Sequence, residues 1–168
     1  DVLRIASREL QGDIEVVLTA VTQNGMVLEF ASLKLKGDIE VVLAAVTENG
    51  SALQYASSEL RAVRELVLRA VTHKGDALKY ASQELRMDRE VVLAAVTQNG
   101  YALEFASREL RADREVVLTA VIQNRATLQF ASPELNDEIK KFSGGAQALL
   151  TDYETAEISF VTLEGNEY

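Results

Sequence analysis

The sequence predicts an all-α fold, an α/α solenoid of tandem 25-residue helix-turn-helix repeats with an atypical C-terminal tail. Three observations predict it. Leu18, Leu43, Leu68, Leu93 and Leu118 recur at one fixed spacing, and so do Ala6, Ala31, Ala56, Ala81, Ala106 and Ala131, each followed by serine. Gly25, Gly50, Gly75 and Gly100 keep the same interval. The chain has one proline and nine glycines in 168 residues, a composition that favours helix. A fixed period of this length marks stacked supersecondary units that bury a continuous core only together.

The residues before Ala6 match the second half of a unit, Asp1-Val2-Leu3 against Met26-Val27-Leu28, so the chain reads as starting mid-unit, a processed or partial piece of something longer. Full units start near residues 13, 38, 63, 88 and 113, and the array is expected to cover 1–137. In the unit from Asp88, the aspartate is a good N-cap and Glu90 lies in the first turn, where the helix dipole favours an acid. Asn99-Gly100 reads as a stop, with glycine in the left-handed conformation that ends helices. Helix A is therefore expected over about residues 89–99. Ala102, Leu103, Phe105, Ala106 and Leu110 repeat at helical spacing and predict a helix B before Asp113. In the first full unit the apolar positions of helix A, from Ile14 to Val21, cover about 200° of its circumference, so it should be packed on both sides.

Two units depart from the pattern. Val63 stands where the others carry aspartate, a lost cap worth about 1 kcal/mol. Arg125 replaces the stop glycine, which predicts a left-handed penalty of about 1–2 kcal/mol. Ser132-Pro133 then caps a last helix that should run from Glu134 to Phe142. Residues 138–168 form a non-repeating acidic tail, expected either to cap the array or to dock elsewhere, with Phe142, Leu149, Leu150 and Phe160 as its candidate docking residues and an extended stretch from Ile158 to Leu163.

The charge of −9 is unevenly spread: residues 1–132 hold 18 acids and 15 bases, residues 133–168 hold 8 acids and 2 bases. There is no basic stripe for phosphate neutralisation, so nucleic acid is not an expected partner. The apolar runs Val41–Val46 and Val91–Val96 fall far short of the roughly 20 residues that span a bilayer, which leaves peripheral membrane association only through partners. With no cysteine, disulfides and thiolate chemistry are excluded.

Candidate chemistry reduces to a few positions. His73 is the single histidine, and it falls on the polar arc of helix A at the position of Gln23, Glu48, Gln98 and Gln123, so no triad or histidine metal site is expected. The carboxylates Glu15, Glu40, Glu65, Glu90 and Glu115 form a ladder explained by the dipoles of successive helix starts. The aromatic ladder Phe30, Tyr55, Tyr80, Phe105 and Phe130 sits in the core register, although it invites a pigment or lipid carrier as the alternative function. What differs between units is an outer row, and its candidate partner-binding residues are Thr19, Gln23, Glu48, Arg69, His73, Gln98, Tyr101 and Gln123. A constant frame with varied rungs is how solenoids present a binding face.

The repeat, Leu-x-x-Ala-Ser-x-x-Leu-x-x-Asp-x-Glu-Val-Val-Leu-x-Ala-Val-x-x-Asn-Gly, resembles a family of short helical repeats of unknown function found in photosynthetic protists, notably dinoflagellates and haptophytes, and in some intracellular bacteria. That family has no assigned activity, so the resemblance implies neither catalytic residues nor cofactors. It points to an algal setting, with the chloroplast as the compartment it implies and the cytoplasm otherwise. The function expected is a non-enzymatic scaffold or protein–protein interaction subunit that bridges or braces components of a larger assembly, with a photosynthetic membrane supercomplex as the setting that the resemblance implies.

Overall fold

A computed structural model describes residues 2–141. The chain is an all-α repeat solenoid, as the period predicts. Five ten-residue helices form its α layer: α2 (Ile14–Gln23), α4 (Ile39–Glu48), α5 (Arg64–His73), α6 (Arg89–Gln98) and α7 (Arg114–Gln123). Shorter helices α1 (Val2–Ile5) and α3 (Leu33–Lys36) and the terminal α8 (Pro133–Lys141) complete the α-helical elements. Among the described residues there is no strand. Each long helix packs on the next, and the segments between them pack on one another as a second layer.

That second layer is helical but differs from an α-helix. Gly25–Phe30, Gly50–Tyr55, Gly75–Tyr80, Gly100–Phe105 and Arg125–Phe130 are 3-10 helices, and each ends at an alanine in extended conformation, such as Ala106 at φ −69° and ψ 156°. The physical reason lies in the serine that follows. Its N–H donates to a carbonyl of the preceding unit, Ser57 to Lys36, Ser82 to Arg61 and Ser107 to Arg86 at 2.9 Å, and is thus unavailable to an i→i−4 ladder. Its hydroxyl accepts from an N–H three residues on, Leu60 for Ser57 and Leu85 for Ser82, both at 3.4 Å. The invariant Ala-Ser pair is therefore both a kink and an inter-unit tie, where periodicity alone suggested a continuous helix B.

The caps follow the expected positions in most units. Asp13 and Asp38 accept from two N–H groups each, and Asp88 and Asp113 accept from Val91 and Val116. Val63 supplies no side-chain cap to α5. A Val63→Asp variant should accordingly raise stability by about 1 kcal/mol, read as an increased urea midpoint at unchanged slope. Asparagine at the far end of the helix is extended, with Asn99 at φ −148°, and its side chain starts the next element: Asn49 accepts from Ser51 at 3.0 Å.

The glycines have a different role from the one expected. None of Gly25, Gly50, Gly75 and Gly100 is left-handed; instead a Cβ at each would stand 2.2–2.6 Å from the carbonyl oxygen of Ala45, Ala70, Ala95 and Ala120, one unit on. They permit close approach of backbone to backbone. Arg125 carries no left-handed penalty either, because it opens the 3-10 helix Arg125–Phe130 and is exposed, with α8 in place of a further long helix.

The core is one continuous cluster of Val, Leu and Ala from both layers. Val41, Leu66, Val91 and Val116 are 0–1% exposed, whereas the equivalent Val16 is 37% exposed because α2 has a long helix on one side only. Ser132 caps α8, accepting from Leu135 at 3.4 Å, and the helix continues through residue 137 to Lys141 with Leu135 and Ile139 buried. The tail candidates Phe142, Leu149, Leu150 and Phe160, the extended stretch from Ile158 to Leu163 and the capping role lie outside the described residues. No described helix is long and apolar enough to cross a membrane.

Candidate functional site

The outer row lies where the repeat places it. Thr19, Gln23, Glu48, Arg69, His73, Gln98, Tyr101 and Gln123 are all exposed, and all but Tyr101 belong to the long helices. They form a row along the array and do not converge on one point. Among the described residues, no group of three or more His, Asp or Glu side chains is placed to hold a metal ion.

Several of these residues have a structural task that their exposure conceals. Glu48 accepts the N–H of Gly25, Gln98 that of Gly75, and Gln123 that of Gly100, the last at 3.2 Å. Gln123 also donates to the Thr97 carbonyl. At three of the four close glycine approaches, the row residue of the next unit thus satisfies an N–H that the helix junction leaves over. His73 makes no such bond to Gly50. Thr19 donates its hydroxyl to the Glu15 carbonyl at 2.8 Å, a local bond within α2. Tyr101 packs edge-on against Phe130, with ring centroids 6.2 Å apart, and accepts from Asn124 at 3.2 Å. Gln23, Arg69 and His73 are the row members whose side chains make no ion pair or hydrogen bond to other described residues, and the last two lie one turn apart on α5.

Sequence reasoning missed an ionic ladder beside this row. Arg64 Nε reaches Asp88 at 2.9 Å and its other arm meets Glu90; Arg89 does the same to Asp113, at 3.0 Å, and to Glu115; Arg114 meets Glu138. Arg64 and Arg89 therefore each grip the cap and the first-turn acid of the next helix, so Glu90 and Glu115 serve more than the helix dipole, while Arg114 reaches a single acid within α8. The signal was present as arginine one residue after the cap position, at 64, 89 and 114, with acids 24 and 26 residues further along for the first two and 24 residues along for the third. The pairs are partly exposed, the first two arginines at 44% and 47%, so solvent screening leaves each a small contribution to stability.

The carboxylates register this arrangement. Burial works to raise Asp88 and Asp113, but the N–H groups of Val91 and Val116 and the guanidinium groups of Arg64 and Arg89 outweigh it and hold both acids below their ordinary value. A carboxylate depressed in the folded state stabilises above its unfolded pKa of about 3.9, and that contribution is lost as pH falls through the folded pKa. Melting temperature should therefore fall steeply below about pH 4. An Arg64→Met/Arg89→Met variant should show a lower plateau and a shallower acid limb.

The aromatic row belongs to the core margin. Phe30, Tyr55, Tyr80, Phe105 and Phe130 are half-buried and packed against the buried Leu and Ala cluster. Burial, followed by the nearby Glu29 carboxylate, pushes the Tyr55 hydroxyl up. Lys79 lies over the Tyr80 ring at 4.8 Å, a cation–π contact.

One concavity lies on the α layer. Between α4 and α5, Ile39, Leu43, Val63, Leu66 and Leu68 form an open groove of about 430 Å³, edged by Glu65, Arg69 and Thr72. Ile39 and Val63 occupy the places that Arg64 and Asp88 hold at the following junction. The ionic bridge is therefore replaced here by two apolar side chains, which are 49% and 38% exposed.

A family model described as a domain of unknown function, DUF4116, matches residues 1–36, 13–61, 63–111 and 88–136. The full matches span about two repeats, and the last two are offset by one unit, so the family's own signal is internally repeated. No curated protein and no solved structure matches the chain.

Proposed function

For a chain that belongs to the DUF4116 family, whose function is unknown, we propose a non-enzymatic role as a scaffold or protein–protein interaction subunit. The observation that carries this reading is the division of labour within the repeat. Serine ties, glycine approaches and caps recur from unit to unit, while a position on the outer side of the long helices changes from one to the next: Thr19 and Arg69, which are exposed, and Ala44, Ala94 and Thr119, which are half-buried. A frame held by recurrent bonds under a varied surface suits recognition of an extended partner. The shifted titratable groups have structural causes, caps and ion pairs, which favours a non-catalytic role. The aromatic row packed against the core speaks against the pigment or lipid carrier. A photosynthetic membrane assembly is the setting that the family resemblance suggests.

Size-exclusion chromatography of a native extract, followed by lysine cross-linking, tests the proposal. Co-migration in a larger complex, with cross-links from Lys74 and Lys79, supports it. A native protein that migrates as a monomer with no cross-linked partner overturns it.

A further inference from the structure

We infer that the α4–α5 groove is a docking site for an amphipathic helix bearing a carboxylate toward Arg69. This rests on the interaction-subunit reading and names its surface and its partner's chemistry. The two following junctions of the α layer are closed over by arginines gripping the next helix. At α4–α5 the same two positions are Ile39 and Val63, both exposed, and the second has forgone the helix cap that aspartate supplies in the other full units. A site that gives up both a cap and an ion bridge in favour of exposed apolar surface has the character of a binding surface.

The shape fits a helix. The groove runs between two ten-residue helices about 15 Å long, enough for three turns of a partner presenting apolar residues at i, i+3/i+4 and i+7. Its charge selects an acid. At the Arg69 position the other units carry Thr19, Ala44, Ala94 and Thr119, and one turn on, His73 replaces glutamine or glutamate. The third unit, 63–87, holds five bases, Arg64, Arg69, Lys74, Lys79 and Arg86, against three acids, Glu65, Asp76 and Glu84, in a chain whose net charge is −9. Glu65 edges the groove at the start of α5, one turn before Arg69, and has Ile39 where Glu90 and Glu115 have an arginine. It repels an acid there and directs the partner's acidic end toward Arg69 and His73.

The test uses a synthetic helical peptide of about 14 residues with leucines on one face and glutamates flanking it, a lysine counterpart and a scrambled control. Binding to the full chain is read by fluorescence anisotropy and by methyl shifts of leucine-labelled protein. The acidic peptide should bind at least about tenfold more tightly than the other two and shift Leu43 and Leu68. Ile39→Arg/Val63→Asp, which rebuilds the bridge of the next junction, should weaken it about tenfold or more while raising the melting temperature through the restored cap. Arg69→Glu, at an exposed position, should invert the preference toward the lysine peptide. Equal binding of the scrambled peptide, unchanged binding by both variants, or shifts confined to other leucines overturns the inference, as does self-association of the chain through Leu43 in place of peptide binding. A native complex that persists with the double variant, while the peptide fails to bind, removes the groove and leaves the scaffold reading intact. Peptide binding by a chain that is monomeric in extracts does the reverse.

Discussion

Gly75→Ala should lower stability by about 3 kcal/mol or more, although it adds only one methyl group. The new Cβ would stand 2.4 Å from the Ala95 carbonyl oxygen and 3.0 Å from the Asn99 nitrogen, both main-chain atoms held inside or at the end of α6. Neither can move without separating α6 from the unit before it. The same displacement would stretch the bond from the Gly75 N–H to Gln98. Backbone conformation is not the cause, since Gly75 is not left-handed, and alanine elsewhere in such a segment is ordinarily favoured over glycine. Arg125 provides the control, because no long helix follows at that distance: Arg125→Gly should cost only about 0.5–1 kcal/mol, through backbone entropy. Urea denaturation of the two variants decides the matter, and a Gly75→Ala protein as stable as the parent would show that the close approach does not constrain the fold.

Leu78→Ala should cost about 3–4 kcal/mol, within the range for a large buried aliphatic truncated in a packed core. Leu78 is fully buried in the 3-10 layer, between the equally buried Leu53 and Leu103 of its neighbours, and the surrounding backbone is tied by the Ser82 and Ser107 bonds, which limits collapse into the cavity. Because solenoid stability is close to a sum of unit and nearest-neighbour terms, the loss falls on the third unit and its two interfaces. Hydrogen exchange should speed up most over residues 38–112, the third unit and its two neighbours, with the protection of α2 less affected. The equivalent Leu128→Ala, in the fifth unit, should cost less, since Leu128 is already slightly exposed and, among the described residues, no further 3-10 segment of the repeat packs beyond it. Uniform loss of protection from α2 to α7 would mean that the array unfolds as one unit.

Both expectations depend on features that a single repeat shows unequally. The helix A caps, the apolar register and the alanine–serine pair are local patterns that recur, and the long helices lie within a residue of where Asp88 and Asn99 place them. The 3-10 character of the second layer was not legible, because Ala102, Leu103 and Phe105 have helical spacing under either geometry, and only the capture of the serine N–H by the preceding unit decides between them. The glycines were visible at the right positions with the wrong role: a glycine required by a neighbouring carbonyl and one required by a left-handed turn look identical in a sequence. The row from Thr19 to Gln123 was legible as a surface, but exposure alone did not reveal that Glu48, Gln98 and Gln123 brace the glycine N–H groups. Arg69 and His73, with no such task, stood out only once those bonds were located.

The amino-acid sequence by itself determined the repeat, its period, its caps and its apolar faces, because these depend on spacings within 25 residues. Tertiary structure alone decided how one unit meets the next: the glycine–carbonyl approach, the serine ties, the arginine ladder and the groove left where Ile39 faces Val63. Those contacts join residues about one repeat apart through space, and each follows from the distance between stacked helices, a quantity that no single unit encodes.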